Sequence, residues 1–351
     1  MHVDLNKGHI DIEANKGCAP VSAVSLISGG LDSILATRLV MDMDIEVTAL
    51  FFTTPFFGGR QDDTGRFILK MMEDYGINAH VIDISEKYMR MLKSPAHGYG
   101  GHFNPCIDCK ILMISEAIKY MEDVGAKFIV TGEVVGQRPM SQRKDVMRII
   151  ERDSGAEGIL LRPLCAKLLK PTIPEIEGWV KRDSLYDFSG RSRKPQIDMA
   201  ESLGVTDYPS PAGGCCLTDP IISKRIKKLY EIKTSPDPHD VELLRIGRPF
   251  HIGDGVIMTL GRNLEENEVI EKIGVSGDIY IKLLDLPGPT GIVRGALSDK
   301  RITLAMSILA RYSKARGEDE VRVGLGESPH SFDTVIGVRP SDDDKIRDLR
   351  L

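Results

Sequence analysis

Residues 21–33 read Val21-Ser22-Ala23-Val24-Ser25-Leu26-Ile27-Ser28-Gly29-Gly30-Leu31-Asp32-Ser33. The apolar run through Ile27 predicts a short buried strand, and apolar residues at helical spacing after Gly30 predict a helix. Between them, two glycines let the backbone turn tightly, so that several N–H groups can point at one anion. The positive end of the helix dipole would add to this attraction. This stretch therefore predicts a strand, a phosphate-binding loop and a helix.

The rest of the first half repeats the alternation of strands and helices. Apolar runs predict strands at residues 45–52, 79–84 and 127–131, and helical spacing predicts a helix at residues 64–75. Strands that alternate with helices are typical of a parallel sheet covered on both faces. We therefore expect an α/β fold for this part of the chain.

The length of 351 residues predicts two domains, because single cores stop growing near about 300 residues. Residues 1–20 have the character of a lead-in, and residues 21–200 form the predicted α/β domain. Residues 201–238 combine a cysteine-containing loop with a basic helix. Residues 239–351 contain short strands with Gly/Pro turns and one helix, and they predict a second, smaller α+β domain.

The composition indicates a cytoplasmic protein. No apolar run approaches the roughly 20 residues of a membrane span, and the first residues lack the order of a signal peptide. The six cysteines are therefore expected to be reduced. A net charge of −5 gives no general attraction to nucleic acid, so RNA contacts need a local basic patch. Residues 162–194, with eight Lys/Arg against four acids, are either such a patch or solvated helix faces.

Residues 28–33 resemble the phosphate loop of the PP-loop ATP pyrophosphatases. They lack the lysine and the spacing of a Walker A loop, which indicates cleavage of ATP between its α- and β-phosphates. The resemblance implies a HUP-like fold in which Asp32 positions Mg²⁺ and adenine lies near Thr53. Gly132, at the end of the fourth strand, would line the same site. The implied ATP contacts in the loop are Ser28, Gly29, Gly30, Leu31, Asp32 and Ser33.

Cys106 and Cys109 form a C-x-x-C pair directly before an amphipathic helix. Thiols at a helix N-terminus have lowered pKa values, so the pair is expected to ionise readily. By itself, a cytoplasmic C-x-x-C pair is equally typical of half a zinc site, a redox pair and half an iron–sulfur site.

A second cysteine pair, Cys215-Cys216, follows two glycines in a Gly/Pro-rich loop. Adjacent cysteines rarely both bind one ion, so Cys215 is the expected third ligand with Cys106 and Cys109, and Cys216 is the alternative. Three thiolates leave one corner of a [4Fe–4S] cluster open for a hydrosulfide, whereas four would indicate structural Zn²⁺. Burial of Cys215 and Cys216 as small apolar side chains is the non-functional alternative.

Together these motifs resemble the tRNA-thiolating PP-loop enzymes. The phosphate loop and residues 104–106, Asn-Pro-Cys, are similar to the 2-thiouridylases, whereas residues 130–133, Val-Thr-Gly-Glu, with Gly136 and Gln137, are similar to the 4-thiouridine synthetases. A C-x-x-C pair with one distant cysteine resembles the iron–sulfur branch of tRNA thiolases. The resemblance implies tRNA and a sulfur donor, either a cysteine desulfurase or inorganic sulfide, as partners, and it allows a homodimer.

The resulting hypothesis is an ATP-dependent tRNA sulfurtransferase with Asp32, Cys106 and Cys215 as catalytic residues. ATP would adenylate a base carbonyl, and sulfur from a cluster-bound hydrosulfide or a cysteine persulfide would displace AMP. Two alternatives remain open. One is a PP-loop ligase that amidates a small molecule, and the other is a zinc-stapled RNA-binding adaptor without turnover.

Overall fold

The computed structural model describes residues 21–58, 61–208 and 214–351. The predicted lead-in at residues 1–20 and the Gly/Pro part of the second cysteine loop, residues 209–213, lie outside this range. The described chain contains two sheets, one parallel and one antiparallel. The predicted combination of an α/β domain with an α+β domain is thus confirmed.

The first sheet has five parallel strands in the order β3-β2-β1-β4-β5. Its strands are β1 (Ser22–Leu26), β2 (Glu46–Thr53), β3 (Asn78–Asp83), β4 (Phe128–Thr131) and β5 (Leu160–Leu161). Its helices are α1 (Leu31–Met41), α2 (Gln61–Tyr75), α3 (Ser85–Lys93), α4 (Cys106–Val124), α5 (Lys144–Ser154), α6 (Ile173–Ile176) and α7 (Lys194–Ser202), with 3-10 turns at Ala166–Leu168 and Arg182–Ser184. In the described ranges, every helix falls short of the length and apolarity of a bilayer span.

Alternate side chains of the central strands enter two separate cores. Ala23 of β1 packs with Leu35 of α1, whereas its neighbour Val24 packs with Ile114 of α4. All four residues of β4 are buried. A strand covered on both faces needs apolar residues at nearly every position, which explains the continuous apolar runs in the sequence.

The second sheet has six strands in the order β11-β10-β8-β9-β7-β6, all antiparallel to their neighbours. Its strands are β6 (Arg248–His251), β7 (Ile257–Leu260), β8 (Ile279–Leu283), β9 (Gly291–Arg294), β10 (Val321–Gly326) and β11 (Thr334–Val338). The helices in this part of the chain are α8 (Pro220–Ile232), α9 (Pro238–Arg245), α10 (Leu264–Lys272), α11 (Asp299–Arg311) and α12 (Asp343–Arg347), preceded by a 3-10 turn at Cys216–Thr218.

A shared hydrophobic cluster, here called the junction core, joins the two domains. It contains Tyr88 and Leu92 of α3, Ile226 and Leu229 of α8, and Ile257 of β7, all buried. Hydrogen bonds reinforce it: the hydroxyl of Tyr230 donates to the carbonyl of Met89 at 2.8 Å, and the amide of Phe103 donates to Ser223 Oγ at 2.6 Å. Helix α8 is thereby fixed between the two domains.

A buried charge network ties α9 to the antiparallel sheet. Asp240 is fully buried and accepts from Lys233 Nζ at 2.8 Å and from the backbone N–H of Asp237 at 2.9 Å. Arg294 Nη1 lies 3.9 Å from the same carboxylate, and its Nε and Nη2 donate to Asp278 at 2.7 and 2.6 Å. These carboxylates and cations compensate one another's charge.

Replacing Asp240 with alanine leaves Lys233 and Arg294 without their shared anion. We expect Asp240→Ala to lower the free energy of unfolding by about 3 kcal/mol, because the half-buried Lys233 loses its carboxylate partner and Arg294 keeps only Asp278. Urea unfolding followed by circular dichroism measures the loss. Asp319, which is fully exposed and 3.9 Å from Arg339, provides the control, and Asp319→Ala should cost less than about 1 kcal/mol. Equal losses in the two variants would contradict the expectation.

Candidate active site

The phosphate loop takes its shape from two glycines and two serines. Gly29 has a φ of +76°, and a Cβ there would lie 2.5 Å from the ring of Phe67, so glycine fits this position. Ser33 Oγ accepts from the backbone N–H of Ser28 at 3.2 Å and donates to the carbonyl of Gly30 at 2.8 Å. The loop between β1 and α1 is therefore held in its turn by its own side chains.

Gly132 packs directly against the start of α1. A Cβ at this position would lie 2.4 Å from the carbonyl carbon and oxygen of Asp32 and 2.6 Å from the nitrogen of Ser33. Because β1 and β4 are parallel neighbours, their carboxyl ends meet at this edge of the sheet. Thr53 ends β2 at the same edge, and its carbonyl accepts from the N–H of Ile84 at 3.1 Å. Ligands of open α/β sheets bind at this edge.

Asp32 belongs to a polar group that sequence reasoning largely missed. Its Oδ2 accepts from Gln137 Nε2 at 2.6 Å, and Arg193 Nη2 lies 3.6 Å from its Oδ1. Gln196 Nε2 donates to Gln137 Oε1 at 3.0 Å. Within the part of the chain that is described, Asp32 Oδ1, Arg193 Nε and Gln196 Oε1 are buried without a hydrogen-bond partner. Buried polar atoms are normally satisfied, so this group indicates a polar ligand site beside the loop.

Glu133, directly after Gly132, forms a buried ion pair. Its Oε2 accepts from Arg162 Nε at 2.9 Å, and Lys110 Nζ lies 3.6 Å from its Oε1. Arg162 also pairs with Glu151. Burial opposes ionisation, yet Lys110 and Arg162 hold the pKa of Glu133 below its ordinary value. Glu133 lies outside any helix.

Three of the predicted cysteine ligands come together around Tyr88. Cys106 begins α4 and accepts a hydrogen bond from Asn104 Nδ2 at 3.4 Å. The Cys109 thiol packs against the cluster that contains Tyr88. Cys106, Cys109 and Cys215 lie close enough that the charge of one thiolate raises the pKa of another.

The second cysteine of the adjacent pair has different surroundings. The Cys216 thiol responds to the charges of Arg245 and Asp219 and to no thiol of the C-x-x-C pair. Cys165 is fully buried and donates to the carbonyl of Glu133 at 3.2 Å. Cys18 lies outside the described residues. The Cys215 thiol, in contrast, responds to the charge of Cys106.

The expectation of lowered thiol pKa values is wrong for the free thiols. Burial raises the pKa of Cys109 to about 12 and that of Cys215 to about 11, and it also raises the pKa of Cys106. The helix N-terminus supplies only a partial charge, which does not offset the loss of hydration. Among residues 21–58, 61–208 and 214–351, no group of three or more His, Cys, Asp or Glu is placed so that it could hold a metal ion.

Residues 19–195, just over half of the chain, match the family described as "Thiamine biosynthesis protein (ThiI)". The chain belongs to the ThiI family. This confirms the PP-loop fold and the resemblance to the tRNA-thiolating group. Residues 247–350 match the "NFACT protein RNA binding domain" and follow the ThiI domain along the chain.

The named relatives of this ThiI-family chain are tRNA-modifying proteins. A probable tRNA sulfurtransferase from Methanothermobacter thermautotrophicus is 28% identical over 47% of this chain and 41% of the relative. A tRNA sulfurtransferase from Marinobacter nauticus is 29% identical over 64% of this chain and 46% of the relative. The chain thus spans less than half the length of these relatives. A solved 4-thiouridine synthetase–RNA complex with bound ATP is 22% identical, with a TM-score of 0.34, over 53% of this chain and 52% of its own.

Adding one methyl group at Gly132 tests the close contact with the phosphate loop. Overpacking of about 1–3 kcal/mol would displace the start of α1, so we expect Gly132→Ala to weaken ATP binding roughly ten- to hundredfold. Isothermal titration calorimetry measures the change. Gly65→Ala is the matched control, because a Cβ at this exposed position of α2 meets nothing within 4 Å. Unchanged ATP affinity in Gly132→Ala would show that the contact is not needed.

The Glu133 ion pair predicts a pH-dependent contribution to stability. The pKa of Glu133 in the folded chain lies below its unfolded value of about 4.3, so the charge stabilises the fold above that pH. The contribution is lost as the pH falls through the folded pKa. The stability difference between wild type and Glu133→Gln, measured by urea unfolding, should be large at neutral pH and shrink in acid. The matching difference for Glu86→Gln, whose side chain is 82% exposed, should stay near zero throughout.

Proposed function

We propose that this protein is an ATP-dependent tRNA sulfurtransferase that adenylates a base carbonyl and replaces its oxygen with sulfur. One observation carries the proposal: the consecutive residues Gly132 and Glu133 contact both the phosphate loop and the helix that begins with the cysteine pair. Gly132 packs on the first turn of α1, and its neighbour Glu133 is paired with Lys110 of α4. Lys110 directly follows Cys109. An activated oxygen and an incoming sulfur can therefore meet at one edge of the sheet.

The nucleotide half of the site fits ATP and Mg²⁺. The loop amides and Ser33 would hold the departing pyrophosphate at the N-terminus of α1. Asp32 Oδ1, buried without a hydrogen-bond partner, suits an oxygen-seeking cation, and Arg193 nearby would add positive charge. When bound, Mg²⁺ would neutralise the charge that develops on the pyrophosphate.

For the thiol half of the site we propose Cys106, Cys109 and Cys215 as the three protein ligands of a [4Fe–4S] cluster, although in this structure the described residues do not place the three thiols as a metal site. The charges of Cys106, Cys109 and Cys215 act on one another, whereas the Cys216 thiol responds to Arg245 and Asp219; Cys109, Cys215 and Cys216 all pack against the junction core. A closed zinc site would need four ligands and finds less support in this set. When bound by three thiolates, a cluster would supply sulfur from its open iron as a hydrosulfide. A persulfide on one of these cysteines is the metal-free form of the same proposal: its outer sulfur would form the C–S bond, and a second thiol of the set would then break the S–S bond and leave a disulfide.

The proposed reaction conserves atoms in two displacements. The carbonyl oxygen of the base attacks the α-phosphorus of ATP, and the bond to pyrophosphate breaks. Sulfide then forms a C–S bond at the carbonyl carbon, and the C–O bond breaks as AMP leaves with the oxygen. The "NFACT protein RNA binding domain" match at residues 247–350 and the relatives' names support tRNA as the substrate. A cysteine desulfurase or inorganic sulfide would supply the sulfur.

Single serine substitutions at the adjacent cysteines test the thiol half separately from the ATP half. We expect Cys215→Ser to abolish formation of thiolated nucleoside while tRNA-dependent pyrophosphate release continues, because Cys215 is proposed to act only in the sulfur-transfer step, which follows release of pyrophosphate. Cys216→Ser should retain both activities. Mass spectrometry of digested tRNA and a coupled pyrophosphate assay provide the two measurements on anaerobically prepared protein.

The controls separate the forms of the proposal. An iron–sulfur absorbance band that is present in the wild type and lost in Cys215→Ser would support the cluster, whereas thiolation by a colourless protein would support the persulfide. Loss of thiolation only in Cys216→Ser would assign to Cys216 the role that we propose for Cys215. Pyrophosphate release that requires a small molecule instead of tRNA would refute the sulfurtransferase proposal.

A further inference from the structure

A cavity of about 400 Å³ lies where α8 and α9 meet the antiparallel domain, and four arginines line it. Arg225 comes from α8, Arg245 from the end of α9, Arg262 from the loop before α10 and Arg350 from the last described residues. We call this cavity the arginine pocket. Its arginines are far apart in sequence, so only the fold brings their guanidinium groups together.

The positive charge of the pocket is only partly compensated. Arg262 pairs with Glu266, its Nε donating to Oε1 at 2.8 Å. Asp219 also lines the pocket, but its Oδ1 already accepts from the first amides of α8. Within the described ranges, no carboxylate lies within ion-pair distance of the remaining three arginines, Arg225, Arg245 and Arg350.

Backbone carbonyls position two of these arginines without neutralising them. Arg225 Nη1 donates to the carbonyl of Leu244 at 3.0 Å, and Arg245 Nη1 donates to the carbonyl of Pro55 at 2.5 Å. Arg225 Nε is buried and has no hydrogen-bond partner among the described residues. Burial and the charges of Arg262 and Arg350 lower the pKa of Arg225, so the guanidinium groups repel one another. An anion would relieve this repulsion and satisfy the free donor.

We propose that the arginine pocket binds a phosphodiester group of the RNA substrate. This inference rests on the proposed function, which supplies the RNA. Guanidinium groups pair with phosphate oxygens through two parallel hydrogen bonds, and convergent arginines are suited to that ligand. Arg262 and Arg350 belong to the segment that matches an RNA-binding domain. Inorganic phosphate offers the same chemistry and is the competing ligand.

The location gives the pocket a role in substrate placement. Asp219 and Arg245, both in its lining, are the charges that act on the Cys216 thiol. Cys216 directly follows Cys215, the expected third ligand of the sulfur site. A phosphate held in the arginine pocket therefore anchors the RNA backbone beside the cysteine segment.

Removing the side chain of Arg350 tests the pocket with the full-length protein. The probe is a fluorescently labelled tRNA transcript, and its affinity is measured by anisotropy over a series of salt concentrations. Arg350→Ala should weaken binding several-fold and reduce the slope of log K against log salt by about 1, as loss of one phosphate contact does. Arg350→Lys should keep the salt-dependence slope and lose part of the tRNA affinity. The lysine keeps the positive charge but lacks the planar pair of N–H donors of a guanidinium group.

The matched control is Arg339→Ala, which removes the same charge from the same domain. Arg339 is 81% exposed and follows β11, at the opposite edge of the sheet from β6, whose Phe250 forms an isolated backbone bridge with Arg350. This variant should bind tRNA with wild-type affinity and slope. Thermal unfolding checks that each variant is folded, and if Arg350→Ala is not, Arg350→Lys carries the test.

The outcomes distinguish the ligands and the proposals. The second measurement is calorimetric titration of the same variants with inorganic phosphate, which gives their affinity for the free anion. If Arg350→Ala abolishes phosphate binding but leaves tRNA affinity and slope unchanged, the pocket is a phosphate site and the RNA assignment is overturned. If wild-type protein binds tRNA and Arg350→Ala and Arg350→Lys both bind it equally well, this inference alone fails. If wild-type protein binds no tRNA, both the inference and the proposed tRNA substrate fail.

Discussion

The absence of a side chain at Gly132 is the constraint on which the site depends. The end of β4 lies so close to the first turn of α1 that a single added carbon would overlap the backbone of Asp32. The end of β4 is therefore held twice, by its ladder of hydrogen bonds to β1 and by this contact with the first turn of α1. The contact fixes where α1 starts, and with it the direction of the loop amides and of the Asp32 carboxylate.

Glu133, the residue after Gly132, connects this backbone contact to the helix that carries the cysteine pair. Glu133 is charged and buried, which is tolerable only because Arg162 and Lys110 reach it. Lys110 belongs to α4, so the ion pair also holds the helix that begins at Cys106. The third thiol depends on different forces. Cys215 lies on a short segment that packs against the junction core, together with Leu217. Its place beside α4 therefore results from the docking of the two domains.

The sequence was sufficient wherever the structure is local and continuous. Strands β1 to β4 match their predicted bounds to within about one residue, because strands buried on both faces are apolar throughout. Strand β5 has two residues, Leu160–Leu161, too few to form a pattern. Helix α10 was missed because its acidic face and single buried residue, Ile270, give a weak apolar stripe. Arg193 lies far from Asp32 in sequence, so no local signal connects them.

The same reasoning explains why the thiol pKa expectation failed. A helix N-terminus next to Cys106 and Cys109 is visible in the sequence, but the packing that excludes water from them is not. Desolvation of a buried charge shifts a pKa by several units, whereas a helix terminus contributes about 1 kcal/mol. The larger effect comes from burial against the junction core, which the sequence leaves unassigned.

A run of basic residues in the sequence does not by itself predict where a protein presents positive charge to RNA. The basic run at residues 162–194 resembles an RNA-binding patch, yet Arg162 is buried against Glu133, Arg182 is paired with Glu175, and Arg193 faces Asp32. Those cations are largely committed inside the ThiI domain. Of the four arginines of the arginine pocket, Arg225 belongs to the basic helix, whereas Arg245, Arg262 and Arg350 are single residues in ordinary surroundings, and the chain as a whole is acidic. Electrostatic attraction to a phosphate acts over about one Debye length, near 10 Å, so the local arrangement decides it and the net charge does not.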